Sequence, residues 1–330
     1  MNRTEPWLIV GQGLAGTCLA LEFIERGVSF RIVDTGHGGS TRVAAGLINP
    51  ITGKNFEPSW LIEDFHPQAI AFFEALGSKL GEKLWNPLPI IRLASSQKEW
   101  SKISSKLDLP QSRRWLHPEQ LPTPIGFHGS VILKGSGWVD TSRFLALTRK
   151  YFDQLGILET RRHKHKSQEL RTIFCEGALG LVENQLGNHR CAKGEILTVR
   201  ANWPETHIRI GAGGWLIPIG RNLFRAGSTY EWNHLDEKPT NTGTERISGI
   251  VQKLGGTLFE IIDHVAGIRP ILRRSQPLIG KTQSGNWVFN GLGSKGTLYA
   301  PRMAEMLADW ISDGKKPNVD FILNSDNPES

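Results

Sequence analysis

Three glycines at fixed spacing, Gly11, Gly13 and Gly16, and one acid, Asp34, open the chemistry of this 330-residue chain. Their chemistry would be binding. Gly11 permits a tight turn, Gly13 lets backbone approach a pyrophosphate, and Gly16 lets helix and strand pack closely. Leu14 and Ala15 begin a helix whose free N–H groups and positive dipole end favour that anion. Asp34 lies 18 residues beyond Gly16, near the usual spacing for an acid that binds ribose hydroxyls. The elements needed to hold these residues are legible around them. Trp7 to Val10 reads as a buried strand. Apolar positions from Leu14 to Phe23 recur at helical spacing, with Glu22, Glu25 and Arg26 outside, and Gly27 stops the helix. Phe30 to Val33 is a second strand, ending on Asp34. This is a dinucleotide fingerprint in its required context, and alone it leaves NAD and FAD open.

The whole chain sets bounds on the rest. Its length suggests about two domains. A hydrophobic fraction of 39% and a charged fraction of 22% suit a soluble globular protein. No signal-peptide pattern precedes the first strand, and no apolar run approaches the ~20 residues of a membrane span. Cys18, Cys175 and Cys191 lack metal-ligand spacing, so no metal is expected. They read as reduced thiols of a cytoplasmic protein, with Cys18 in the core. The net charge is +7. The densest basic run, Arg161 to Lys166, reads as a solvated loop, with phosphate-backbone contact as the alternative.

After Asp34 comes the segment Thr41 to Pro50, TRVAAGLINP, whose small residues allow backbone to approach a flat ligand. It resembles the "S-x-x-A-A-G-hydrophobic-h-x-P" segment of the D-amino-acid oxidase / glycine oxidase superfamily of FAD enzymes. Further motifs follow in the same order. Gly137-Trp138-Val139-Asp140 resembles "G-x-h-V-D-P", with Asp140 or Thr141 as a helix N-cap. Thr172 to Ala178 resembles the returning "V-V-h-A-x-G-A" strand, and Lys193 to Val199 the step into the substrate domain. Gly267-Ile268-Arg269-Pro270 resembles "G-h-R-P", and Pro277 to Gly280 resembles "P-h-h-G". Gly291-Leu292-Gly293-Ser294-Lys295-Gly296-Thr297 resembles a loop of one branch. That branch includes the oxidase half of the bifunctional proteins of tRNA 5-methylaminomethyl-2-thiouridine biosynthesis. The connecting strands between 160 and 171 are shorter here than in the family.

The resemblance selects FAD. It implies that Thr41, Arg42, Ala45 and Gly46 line the pyrophosphate and flavin, and that Gly177 closes over the cofactor. Gly291 to Thr297 would open the last helix beside the flavin edge that turns negative on reduction, with Lys295 adding a cation. Arg269 takes the position that binds a substrate carboxylate, which a guanidinium grips bidentately. Tyr230 ends the strand that in relatives faces the substrate, and so is a second catalytic candidate. His66 and His264 are candidate polar contacts near the flavin, or structural histidines.

The expected fold is α/β: a discontinuous Rossmann-like FAD-binding domain (1–57, 138–194 and 262–330) with a second, substrate domain built on an antiparallel sheet (58–137 and 195–261). The expected function is oxidation of an amine or amino-acid C–N bond to an imine by hydride transfer to flavin. Oxygen or another acceptor would take the electrons. Two alternatives stand beside it: oxidative removal of the carboxymethyl group from carboxymethylaminomethyl-uridine in tRNA, and a non-catalytic FAD-binding module.

Overall fold

The computed structural model describes residues 5–53, 55–119, 121–163, 171–183, 189–273, 276–282, 285–317 and 322–323. Two seven-stranded sheets dominate. The first runs in the order Leu158–Thr160, Phe30–Asp34, Trp7–Val10, Thr172–Phe174, Trp287–Asn290, Leu278–Lys281, Ile322–Leu323. Its first five strands are parallel, and Leu278–Lys281 turns back antiparallel. Trp7–Val10 lies inside the sheet and is apolar throughout, as a strand covered on both faces must be. Helices Leu14–Glu25 and Gly296–Asp313 lie against one another. They bury Leu14, Cys18, Leu19, Phe23, Met303 and Leu307 in the main core. Each such large apolar side chain contributes roughly 1.5–3 kcal/mol relative to exposure.

The second sheet runs Glu260–Arg269, Ala192–Arg200, Leu223–Gly227, Gly214–Gly220, Ile208–Gly211, Ile90–Ala94, Gly129–Leu133. Its neighbours are antiparallel except Ile208–Gly211 beside Ile90–Ala94. Helix Asn241–Leu254, capped by the Thr240 hydroxyl accepting from Gly243 N at 3.0 Å, covers one face. There Ile247, Val251 and Leu254 meet Leu93, Leu197, Leu216 and Phe224. Side chains alternate along a strand, so the intervening residues face the other way.

Asp140 caps helix Thr141–Gln154 as expected, accepting from Arg143 N at 2.9 Å. Two elements run across the expected division of the chain. Residues 262–269, assigned to the nucleotide half, belong to strand Glu260–Arg269, which pairs with Ala192–Arg200 from Arg269↔Ala192 to Glu260↔Arg200. Its first residues are exposed on both sides, so no apolar alternation marked them as a strand. Helix Ile62–Leu80, assigned to the substrate half, packs on Gly296–Asp313, with Phe65 against Tyr299 at 5.2 Å. The strand expected over 172–178 stops at Phe174; Gly177, at φ +57°, opens a short helix, Gly177–Glu183. Residues 164–170, with half of the basic run and most of the shortened connection, lie outside the described residues. Among the described residues no helix is long and apolar enough to cross a membrane, and no His/Cys/Asp/Glu group could hold a metal.

Candidate active site

A cavity of about 1200 Å³ lies between the two sheets. The glycine turn forms one wall. Gly11 has φ +101°, and a Cβ there would stand 2.6 Å from Cys175 O. A Cβ on Gly16 would stand 1.9 Å from Gly11 O. Gly16 therefore packs helix on strand and does not itself line the cavity. At Gly13 a Cβ would meet only Thr41 Oγ1, at 3.6 Å, which leaves the approach open to a ligand. Leu14 N donates to the same Thr41 oxygen at 3.2 Å.

Asp34 is held from three sides. It accepts from Gln12 N at 2.9 Å, Gly36 N at 2.7 Å and Arg149 Nη1 at 3.1 Å. Arg149 also donates to Gln12 Oε1 at 2.9 Å and Thr160 Oγ1 at 2.6 Å. Arg42 stands 3.8 Å from Asp34. The sequence reading missed Arg149 and Gln12. Neither type nor spacing marks them, because the helix Thr141–Gln154 brings Arg149 in from more than a hundred residues away.

The small-residue segment is pinned from behind. Arg225, from the second sheet, donates to Val43 O and, at 2.6 Å, to Ala44 O. Thr141 donates to Ala44 O at 3.0 Å, and Val139 N to Gly46 O at 2.9 Å. Burial pulls the Arg225 pKa down. Gly46 has φ +67°, and a Cβ would stand 1.9 Å from Val139 O. Ala45 and Gly46 line the cavity. Their N–H groups have no partner among the described residues.

From the far end of the chain, Gly293, Ser294, Lys295, Gly296 and Thr297 line the cavity. Gly291 does not. Its φ of +76° makes the turn, and a Cβ would strike Leu272 Cδ1 at 2.4 Å. Lys295 is the N-cap of Gly296–Asp313. It is partly buried, and burial pulls its pKa down. Among the described residues no carboxylate lies within salt-bridge distance of it. A half-buried cation at the positive end of a helix is unfavourable without an anion beside it.

Arg269 and Tyr230 meet on the opposite side. Arg269 donates to Ser228 Oγ at 2.7 Å, Thr229 O at 3.2 Å and Lys193 O at 3.4 Å. Its guanidinium lies 4.1 Å from the Tyr230 ring centre and directly over Gly194, where a Cβ would stand 2.0 Å from Nη2. Among the described residues no carboxylate pairs with it. Burial lowers its pKa, and Tyr230 raises it. Tyr230 is 43% exposed and stacks on Trp232 at 5.9 Å. The two histidines stand away from the cavity. His66 Nε2 donates to Gly135 O, its ring packs on Trp115 at 4.8 Å, and burial lowers its pKa. His264 faces Glu195 Oε2 at 2.9 Å and Thr244 Oγ1 at 3.1 Å. Both are structural. The sequence reading also missed the floor of the cavity, Arg92, Ile196, Ile210 and Trp215.

A family model described as DAO, FAD dependent oxidoreductase, matches residues 7–310. The chain belongs to this family of FAD-dependent oxidoreductases. The tRNA 5-methylaminomethyl-2-thiouridine biosynthesis bifunctional protein MnmC of Idiomarina loihiensis is 20% identical over 335 residues, covering 91% of this chain and 54% of that protein. The chain thus spans about half the length of the curated relatives it matches. Glycine oxidase from Geobacillus kaustophilus superposes with a TM-score of 0.81 at 20% identity, covering 97% of this chain and 99% of that one. Iminodiacetate oxidase from Chelativorans sp. BNC1 superposes at 0.76 with 18% identity, covering 98% and 100%. At such identities the likeness is one of fold. The cavity fits the DAO-family cofactor, FAD, on its own features. The glycine turn leaves space for a pyrophosphate, the N–H groups of the lining residues Ala45 and Gly46 have no partner among the described residues, and no carboxylate pairs with Lys295 among them. Gly11, Gly13, Leu14, Ala15, Asp34, Thr41, Arg42 and Gly177 all line the same space.

Proposed function

We propose that this DAO-family protein oxidises the C–N bond of a small amine or amino acid to an imine, which water then hydrolyses. The observation that carries the reading is Arg269: a guanidinium inside the cavity, held in one orientation by three oxygen acceptors and unpaired by any carboxylate among the described residues. FAD, when bound, supplies the acceptor for the hydride. The chain's own residues bind and orient. Arg269 grips the substrate carboxylate bidentately, and Tyr230 braces the guanidinium through its ring face. Ile196, Ile210 and Trp215 exclude water from the floor. Lys295 and the helix N-terminus offset negative charge arising beside them. The amine enters as its free base, its proton left in solvent, and electrons pass on to oxygen or another acceptor. The fold likeness to glycine oxidase and iminodiacetate oxidase supports this substrate class. The three free, buried thiols suit a reducing cytoplasm.

The test is anaerobic. Purified protein should be yellow, and mixing it with a panel of amines and amino acids should bleach the flavin with at least one. Arg269→Met should abolish bleaching by carboxylate substrates and retain FAD. A colourless protein that cannot be reconstituted with FAD, or a panel that leaves the flavin oxidised, would refute the proposal.

A second reading is removal of the carboxymethyl group from carboxymethylaminomethyl-uridine in tRNA. It is favoured by the match over 91% of the chain to a tRNA-modifying bifunctional protein. The carboxylate would meet Arg269, and the exposed Tyr230–Trp232 stack offers a platform for a base. It requires salt-sensitive tRNA binding; no binding at low salt ends it.

A further inference from the structure

The strand register sets the floor of the cavity in one row. Arg92 pairs with Ile210, Ile210 with Trp215, Trp215 with Gly227, and Gly227 with Ile196. Residues directly opposite across paired strands share a face. The alternate residues Leu93, Leu216, Ala226 and Leu197 lie in the core beneath helix Asn241–Leu254. The row Arg92, Ile210, Trp215, Ile196 therefore faces the cavity, and all four line it. Gly227 does not interrupt it, because the Trp215 indole covers the space where a Cβ would stand, 2.9 Å away. The floor is apolar from Ile210 to Ile196 and carries a guanidinium at each end. One is Arg92. The other is Arg269, lying over Gly194, two residues along the strand from Ile196. Four strand spacings separate the strands beneath them, roughly 19 Å of sheet at about 4.8 Å each.

Arg92 is a built group, not a surface arginine. Its side chain is 16% exposed. Nη2 donates to Glu99 Oε1 at 2.7 Å, and Glu99 Oε2 is itself held by Ser95 N at 2.8 Å. This fixes the guanidinium from its far side. Among the described residues Nε and Nη1 have no acceptor, which leaves three of the five N–H groups unused.

Resting on the reading that Arg269 grips a substrate carboxylate, we propose that the site is two-ended. Arg92 binds a second carboxylate, and the substrate class is an elongated amino acid or amine that is acidic at both ends and apolar between. A glycine-sized substrate would reach neither the floor nor Arg92.

The test uses unreactive ligands on the FAD-loaded protein, so that it reads binding and not turnover. α,ω-Dicarboxylates and monocarboxylates of equal length are titrated by calorimetry and by flavin difference spectra, in a homologous series reaching the length of the floor. Monocarboxylate affinity should rise smoothly with length. Dicarboxylates should gain about tenfold or more over their partners near one matching length, as one charge-assisted hydrogen-bonded pair contributes. Arg92→Met should bring that ratio to about one, and Arg92→Lys should keep part of it. Retained flavin and melting temperature establish that the variants fold; if Arg92→Met does not, the parent length profile with Arg92→Lys decides. A parent profile without a preferred dicarboxylate length, or a preference that survives in Arg92→Met, overturns the proposal. Arg269→Met should weaken both series at every length. If it does not, the Arg269 clamp is what has failed.

Discussion

Gly194→Ala tests the substrate clamp without altering any charge. The new Cβ would stand 2.0 Å from Arg269 Nη2 and 2.3 Å from both Cζ and Nη1. A carbon tolerates such neighbours at about 3.4 Å or more, so the guanidinium must retreat by more than about 1 Å. Its 2.7 Å bond to Ser228 Oγ cannot survive that shift. The atom in the way is the end of a flexible side chain, and Gly194 lies in an ordinary strand conformation, so the fold accommodates the methyl group. A displacement of about 1 Å in a positioning group costs on the order of 100-fold in rate, or about 2.7 kcal/mol of transition-state stabilisation. The assay is stopped-flow flavin reduction against substrate concentration, comparing carboxylate substrates with a carboxylate-free amine. kcat/KM should fall about 100-fold for the former and far less for the latter. Parent-like kcat/KM on carboxylate substrates, with normal flavin content, would show that Arg269 does not hold the substrate from the observed position.

Arg149→Met removes the guanidinium that fixes Asp34 and Gln12, and should weaken FAD binding about 10- to 100-fold, read by titrating the apoprotein. Gly46→Ala places a Cβ against Val139 O in a left-handed backbone; it should yield protein with little flavin and a lower melting temperature. Lys295→Met should lower the flavin midpoint potential by some tens of millivolts, measured spectroelectrochemically. Burial lowers the Lys295 pKa, so its charge is lost as pH rises through a value below the ordinary lysine value of about 10.5. The gap in potential between parent and variant should therefore narrow as pH rises and close below that ordinary value.

The nucleotide end was legible because its requirements are local. Gly11 to Asp34 carries turn, helix and acid within one βαβ unit, and each residue type answers a backbone constraint. The far glycine loop and Arg269 were legible through their resemblance to known motifs. What sequence could not reveal depends on register. Arg92, Ile210, Trp215 and Ile196 come from four strands, and only pairing sets them in a row. Arg225 and Arg149 read as ordinary charged positions until distant backbone and Asp34 meet them. The strand before Arg269 was missed because Glu260 to Asp263 are exposed and held by backbone pairing. The histidines were ambiguous for the opposite reason: a lone imidazole in a sequence does not disclose whether Gly135 or a ligand satisfies it.

The parallel order of the first sheet has a consequence for how the molecule comes into being. Trp7–Val10 is made well before its neighbour Thr172–Phe174 and the next strand, Trp287–Asn290, which arrive far later in the chain. At roughly 5–20 residues per second, the emerging N-terminal unit waits ~14–56 s for the strand that leads into the last glycine loop. Until Thr172–Phe174 is made the apolar edge of Trp7–Val10 is unpaired, and until Trp287–Asn290 is made that of Thr172–Phe174 is; such non-local parallel pairing is slow to form. Cofactor capture thus waits for the Gly291–Thr297 loop. The same cavity wall that would hold FAD in the finished protein is, in the nascent chain, an apolar surface without its partner strands, and such surfaces are prone to aggregate.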